Sequence, residues 1–328
     1  MTPGRFDLLG SQDSILVTGG AGFIGSNFVR QILEARRTLR VATLDKLTYA
    51  GDRRNLEGLP DPSRHRFVEG DIGDSGQVRE LLRDSPVRAI VNLAAETHVD
   101  RSLHQPAVFL DTNLRSVHSL LECARQVWIE DRGWGEGDCV FIQVSTDEVY
   151  GSLPLAEAPA VPGRAYRPTS PYAATKAGAD HLARAWWHTY GLPSIVTNCT
   201  NNYGPFQHPE KLIPLCITNA LRGDELPIYC DGQHVRDWIH VSDHVRGLLL
   251  TLEHGHPGET YHFASGVGTT NLDLVHRICR GLDRRWPPPE GVARASLIQL
   301  VADRPGHDLR YGLDTESTRR ELGWAPAI

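Results

Sequence analysis

Short, wholly apolar runs alternate with stretches of helical periodicity through the first half of the chain. Ser14-Ile15-Leu16-Val17-Thr18 reads as a strand, and a helical pattern follows over Asn27 to Ala35. Arg40 to Leu44 reads as the next strand, Phe67 to Ile72 contains the end of a third, and Gln77 to Arg83 is helical again. Ala89 to Ala95 is a fourth strand. Pro106 to Gln126 has the spacing of a long helix, with an apolar stripe of Val108, Leu110, Leu114, Val117, Leu120 and Leu121 suited to core or to a subunit interface. Trp128 to Asp138, rich in glycine and charge, is expected to be a surface loop. Cys139 to Val144 and Ser194 to Cys199 are further apolar strands, and Ser170-Pro171 between them starts a helix, with serine as cap and proline in the first turn. Strands apolar on both faces belong to a parallel sheet covered by helices on each side. The expected fold is therefore α/β, a doubly wound parallel Rossmann sheet with a smaller C-terminal substrate-binding domain. Residues 1–198 would form the first domain, with 237–256 returning to it, and 199–328 mostly the second.

The first strand runs into Gly19-Gly20-Ala21-Gly22-Phe23-Ile24-Gly25, so glycines recur at 19, 22 and 25. Such residues permit a tight turn and let backbone amides approach a pyrophosphate at a helix N-terminus. Asp45 ends the second strand about twenty residues later, where a carboxylate accepts bonds from adenosine ribose hydroxyls and repels a 2′-phosphate. That order selects NAD over NADP. Asp71, at the end of the third strand, could bond the adenine amine; its plainer role would be to cap the next helix. The small residues Ala94 and Ala95 suit close passage of a cofactor.

The carboxyl ends of strands face the ligand crevice in such sheets. Ser145-Thr146-Asp147-Glu148 follows the strand 139–144 and would point there. Tyr172 and Lys176 are one turn apart on the helix that begins at Pro171. An ammonium beside a phenol favours the phenolate and brings it toward the range of a general base. A Tyr-x-x-x-Lys pair is common on ordinary helices, and two acids at a strand end are usually solvated. The case for chemistry rests on both groups following a nucleotide-binding start.

Composition narrows the classes further. The chain has 328 residues, 40% of them hydrophobic and 23% charged, which is enough for a large core. A net charge of −6 argues against a nucleic-acid partner. Residues 1–14 lack the apolar run of a leader, and no stretch is long and apolar enough to span a membrane, so a cytoplasmic protein is expected. Cys123, Cys139, Cys199, Cys216, Cys230 and Cys279 are scattered without Cys-x-x-Cys spacing, which favours free thiols. The histidines at 234, 240, 244, 254, 256 and 262 show no ligand spacing, and no metal is expected.

Together the glycine loop and the Tyr172/Lys176 pair resemble the extended short-chain dehydrogenase/reductase superfamily. The Thr146-Asp147-Glu148 triplet is similar to that of the dTDP-glucose 4,6-dehydratases. So are Thr97-His98-Val99-Asp100-Arg101-Ser102, residues 198–205, Pro209 to Pro214, Val235 to Trp238 and Asp303 to Asp308; the likeness runs from Ile15 to Trp324. The resemblance implies a homodimer, through the helices at 106–126 and 171–190, that acts on dTDP-glucose with bound NAD. Tyr172 would be the base at C4 and Lys176 its partner, and Thr146 would hold O4. Asp147 would be the acid at the C6 hydroxyl, and Glu148 the base at C5. Along the cofactor it places Gly19, Gly22, Phe23, Ile24, Gly25, Asp45, Lys46, Thr48, Asp71, Ile72, Leu93, Ala94, Ala95, Thr112, Tyr172, Lys176 and Asn202. Along the substrate it places Thr97, Thr146, Asn201, Lys211, Leu212, Pro227, Tyr229, Arg236, Asn271, Arg304 and His307. Plainer readings remain for some of these: an Asx turn for Asn201 and Asn202, core packing for Tyr229, a solvated cation for Lys211. A UDP-sugar 4-epimerase needs the hydroxyl, the tyrosine and the lysine but leaves Asp147 and Glu148 idle. A catalytically silent NAD-binding regulator could dispense with all five. Two departures from the family pattern stand out: Cys230 replaces a usual glycine in the run after Tyr229, and Phe263-Ala264-Ser265 replaces a more typical Ile-Gly-Gly.

Overall fold

The computed structural model describes residues 13–288 and 291–328, so nearly all of the stretch read as leaderless lies outside the described residues. The first half is built as β1 (Ser14–Thr18), α1 (Phe23–Ala35), β2 (Arg40–Asp45), β3 (His65–Glu69), α2 (Ser75–Asp84) and β4 (Val87–Asn92). Next come α3 (Val99–His104), α4 (Pro106–Leu110), α5 (Ser116–Ala124), β5 (Val140–Thr146), α6 (Pro171–Tyr190) and β6 (Ser194–Cys199). Every residue of β1, β5 and β6 is buried. That is what strands apolar on both faces require: helices cover the sheet on each side.

The seven strands lie in the order β10-β6-β5-β4-β1-β2-β3, where β10 is Thr260–Phe263, and all pairings are parallel. The order reverses between β1 and β4, and a crevice opens at their carboxyl ends. One apolar core packs on each face. Phe28, Ile32, Leu248 and Trp324 belong to the first, and Val78, Leu120, Leu121 and Trp128 to the second.

Beyond β6 the chain forms β7 (Asn201–Tyr203), α7 (Leu212–Arg222), β8 (Leu226–Tyr229), β9 (Val235–His240) and α8 (Val241–His254). After β10 come β11 (Gly268–Thr270), α9 (Asn271–Arg285), β12 (Ile298–Val301) and α10 (Glu316–Leu322). Strands β11, β9 and β7 make a small sheet, and β12 pairs with β8. Cys216, Ile228, Val275 and Cys279 form a separate small core there. Helix α8 packs on α1. Strand β10 and the Leu322–Trp324 tail go with it, which the sequence pattern does not suggest.

Several local expectations are corrected. The helix from Pro106 does not stop at Gln126: π-helical turns at Asp111–Arg115 and Arg125–Asp131 carry it on. Trp128 is therefore not in a surface loop. It is fully buried and its indole N–H donates to the Val87 carbonyl at 2.9 Å. The polar stretch after β4 contains the short helix α3. Asp71 does not cap α2; Asp74 does, accepting from the N–H groups of Gly76 and Gln77. Cys230 adopts φ 53°, the left-handed region that glycine favours, so the turn survives the substitution with strain at the thiol residue.

Candidate active site

The strand ends of the large sheet and the loops around β7, β8 and β9 enclose one cavity of about 570 Å³. Every cofactor and substrate residue singled out from the sequence lines it, from Gly19 to His307. At its nucleotide end, Gly19 turns with φ 66°, and a Cβ there would lie 2.7 Å from the Ala94 amide nitrogen. A Cβ on Gly25 would collide with the Gly19 carbonyl oxygen. Helix α1 starts behind this turn with no capping side chain and no acid in its first turn, so its N–H groups and the positive end of its dipole stay free for an anion. The Asp45 carboxylate is held in place by the N–H groups of Ala21 and Leu47, both at 2.9 Å, and burial raises its pKa. Lys46 reaches Asp71 at 2.6 Å beside the crevice. A close-approach turn, a free helix N-terminus and an acid at the next strand end fit a dinucleotide. The Gly25→Ala variant should lose about 1–3 kcal/mol of stability from overpacking and retain less nucleotide on purification, read by thermal unfolding and by absorbance of the released cofactor.

Strand β5 ends at Thr146, and a 3-10 turn over Asp147–Tyr150 follows. The Thr146 hydroxyl accepts from the Glu148 amide at 3.3 Å and donates to Asp147 Oδ1 at 3.1 Å, which ties the triplet together. Asp147 Oδ2 is buried with no hydrogen-bond partner. Burial, then the Glu148 charge, pushes the Asp147 pKa well above the usual carboxylate range. Burial raises that of Glu148 as well, opposed by Arg304, Arg236 and Lys211. Ser170 Oγ accepts from the Ala173 N–H at 3.1 Å, the cap expected for α6, and Tyr172 and Lys176 follow on its buried face.

The expected pairing of these two residues is corrected. The Lys176 ammonium donates to the Val144 carbonyl at 2.6 Å, so its nearest bond is to the strand and not to the phenol. Burial and the nearby Glu148, Cys199 and Asp147 drive the Tyr172 phenol well above 10, opposed by a hydrogen bond with Thr146. Burial also lowers the pKa of Lys176. In the free protein the phenol keeps its proton.

At the other end, Arg236 is buried, its guanidinium donating to the carbonyls of Val235 and Asp308 at 2.8 and 2.9 Å and lying over the Tyr311 ring. A desolvated cation with only carbonyls to bond is ready for an anion. Lys211 donates to the Thr97 carbonyl at 3.3 Å and is largely desolvated, so it is no ordinary solvated lysine. Leu226 and Ile228 pack inward from β8 while Pro227 and Tyr229 face the cavity. The Tyr229 hydroxyl donates to Asp100 at 3.2 Å, so it is not core packing. Asn201 and Asn202 lie in β7 rather than in an Asx turn. Asn202 is fixed by the Thr200 carbonyl and His244, while Asn201 Oδ1 and Asn271 Oδ1 are buried without partners.

Sequence reasoning misses two groups here. Asp100 lines the cavity and binds Arg304 at 3.0 Å as well as Tyr229, so α3 clasps the second lobe across the opening. The paired charges in Asp100-Arg101 are the available signal. His234, Asp303 and His307 converge although 73 positions separate the first from the last, which no local spacing discloses. Their donor atoms lie within 4.8 Å of one another, but the two imidazoles stack at 3.6 Å and 15°, so their lone pairs run side by side. Asp303 accepts from His307 Nδ1 at 2.7 Å, and burial lowers the pKa of both histidines, with Arg236 and Arg304 adding to it against the pull of Asp303. Two nearby cations disfavour a further cation at this place.

A doubly wound sheet with a dinucleotide crevice, and a hydroxyl, tyrosine and lysine set inside it, defines an extended short-chain dehydrogenase/reductase. The family model described as GDP-mannose 4,6 dehydratase matches residues 16–328. The dTDP-glucose 4,6-dehydratase of Xanthomonas campestris pv. campestris (strain B100) is 48% identical over 312 residues, covering 95% of this chain and 88% of that protein. The dTDP-glucose 4,6-dehydratase 1 of Escherichia coli K12 is 47% identical over 320 residues, with 95% and 88% covered. Among solved structures, the dTDP-glucose 4,6-dehydratase DesIV of Streptomyces venezuelae, with NAD bound, superposes with a TM-score of 0.86 at 48% identity, covering 96% of this chain and 92% of that one. The UDP-glucose 4-epimerase of Thermotoga maritima gives 0.82 at 29% identity, over 96% and 94%. The chain belongs to the dTDP-glucose 4,6-dehydratase family.

Proposed function

We propose that the protein converts dTDP-glucose to dTDP-4-keto-6-deoxyglucose and water, with NAD as a cofactor regenerated in every turnover. The observation that carries this reading is the Asp147–Glu148 pair beside Tyr172 in the dinucleotide cavity: burial raises both carboxyls, the Glu148 charge raises Asp147 further toward the protonated form, and Arg304, Arg236 and Lys211 oppose the rise of Glu148. Two carboxyls with separated pKa values supply an acid and a base to neighbouring atoms. Thr146 holds the substrate O4, and Tyr172 takes the C4 hydroxyl proton. NAD, when bound, accepts the hydride from C4, returns it to C6, and carries positive charge at its nicotinamide. Ionising Tyr172 against its acidic neighbours needs such charge close by, and the Lys176 ammonium adds to it from one turn away. With a ketone at C4, the C5 proton passes to Glu148 while Asp147 protonates the departing C6 hydroxyl as water. Glu148 then gives its proton back to C5, and the proton held by Tyr172 makes good the one lost from Asp147.

Arg236 and Lys211 neutralise the diphosphate, with Asn201 beside them, and Tyr229 packs on the pyrimidine. Arg236→Gln should raise KM about 10- to 100-fold, the loss of one charge-assisted contact, with a smaller change in kcat; initial-rate kinetics check it. The enzyme works as a homodimer through α4, α5 and α6, a reading supported by the exposed Val108, Leu110 and Tyr190 on those helices. Light scattering that gave a monomer would remove it. A reducing, cytoplasmic setting agrees with six free cysteines, five of them buried.

The direct test is purified protein with dTDP-glucose and no added cofactor. Loss of one water supports the reading. An unchanged mass with inverted C4 would make it an epimerase, in which Asp147 and Glu148 have no task. Bound NAD with no turnover would make it a silent binder.

A further inference from the structure

Helix α6 carries a polar row that extends past the two residues used above, buried as far as Asp180 and half-buried at Arg184. Tyr172, Lys176, Asp180 and Arg184 recur every four positions and so share one face. Asp180 is fully buried and does not line the cavity. Its Oδ2 accepts from Ser145 Oγ at 2.7 Å and from the Tyr166 hydroxyl at 3.0 Å, while Oδ1 is buried with no hydrogen-bond partner. Lys176 holds the carbonyl of Val144 and Asp180 the side chain of Ser145, so lysine and aspartate grip consecutive residues of β5. The next residue is Thr146.

A fully desolvated ammonium loses its proton unless an opposite charge stands near. Burial lowers the Lys176 pKa; of the groups that oppose this, Asp180, one helical turn on, acts most strongly, ahead of Cys199 from β6. Four groups face Asp180: Lys176 and Arg184 from its own helix, Ser145 from β5, and Tyr166 from the preceding segment. Tyr166 is itself held by Arg184 at 2.9 Å. Behind Tyr166 is Tyr150, bonded to His262 of β10 at 2.7 Å. Arg184 also reaches Thr260 at 3.1 Å, so its charge is shared between two hydroxyls and not given to Asp180 alone.

We propose that Asp180 is a positioning residue for the reaction: it is the buried counter-charge that keeps Lys176 cationic, and through Ser145 it fixes the strand end that presents Thr146, Asp147 and Glu148. This rests on the dehydratase reading for its kinetic consequence, but not for the charge pairing itself. The chain has only three lysines, Lys46, Lys176 and Lys211. Their Cε resonances can therefore be followed through a pH titration of the holoprotein after labelling with ε-13C lysine, with Lys176→Met assigning the signal.

In the wild type, the Lys176 resonance should carry a second inflection as Asp180 protonates, a group whose pKa burial raises to about 6. In Asp180→Asn the lysine should titrate at least one pH unit lower. Its kcat should fall about tenfold for each unit by which the working pH exceeds the shifted value, with KM for dTDP-glucose within twofold. Ser145→Ala, which cuts the tie to β5 but leaves the charge, should leave the lysine titration in place. Asp180→Glu should restore most of the charge effect. A Lys176 titration that is the same in wild type and Asp180→Asn overturns the proposal. Should Asp180→Asn not fold, absence of the inflection near pH 6 in the wild type overturns it equally. If wild-type protein shows the pairing but does not dehydrate dTDP-glucose, the functional reading fails and the pairing stands.

Discussion

Glu148→Gln should lower the dehydration rate by about 10²- to 10⁴-fold, the range for removal of a general base, while substrate still binds and C4 is still oxidised. Glutamine keeps the size and the hydrogen-bonding reach of the side chain but cannot take the C5 proton. Solvent deuterium should therefore no longer enter at C5. The pH dependence gives a second check. In its proposed role Glu148 acts as the carboxylate, so the wild-type rate should fall as the pH drops through its raised pKa. That acid limb should vanish in the variant. In its proposed role Asp147 acts as the acid, so the rate should also fall as the pH rises through its own pKa. The Glu148 charge is, after burial, the largest influence raising that value. Its removal should move the remaining alkaline limb to lower pH. Rate profiles of wild type and variant, with proton NMR of C5 exchange, read both effects. Unchanged limbs would mean that the two carboxyls do not divide the work.

Tyr172→Phe should cost a similar factor, about 10²- to 10⁴-fold, but at an earlier step. Without the phenol no base takes the C4 proton, so neither oxidation nor C5 exchange should occur. The two variants thus stop the reaction on opposite sides of the ketone. The buried phenol also makes activation a matter of charge, because in the free protein its acidic neighbours hold its proton on. Lys176→Met should therefore be impaired even where nucleotide remains bound, and raising the pH should partly restore its rate. A variant at Tyr172 that still exchanged C5 would place the first base elsewhere.

Much of this site is legible in the amino-acid sequence. The glycine turn, Asp45, the capped start of α6 and the triplet after β5 are all written in contiguous residues, where local rules for caps, strand ends and glycine turns apply. The elements that escape such rules depend on distant pairing. Strand β10 has four residues and is a strand only because β6 lies beside it. Trp128 reads as loop because glycine and charge follow it, yet π-helical turns bury it. The rotamer of Lys176 is beyond the reach of spacing, which puts it near Tyr172, whereas the Val144 carbonyl takes its proton donor. Asp180 is legible in principle, as the next step of a four-residue row, but the carboxylate draws its meaning from being fully buried.

An internal redox cycle moves one hydrogen of the substrate from C4 to C6. It is tested most directly with dTDP-glucose deuterated at C4, the purified protein and no added cofactor, with NMR of the product. The expected product is a 4-keto-6-deoxy sugar with the label at C6. A product of unchanged mass with deuterium still at C4 would contradict it.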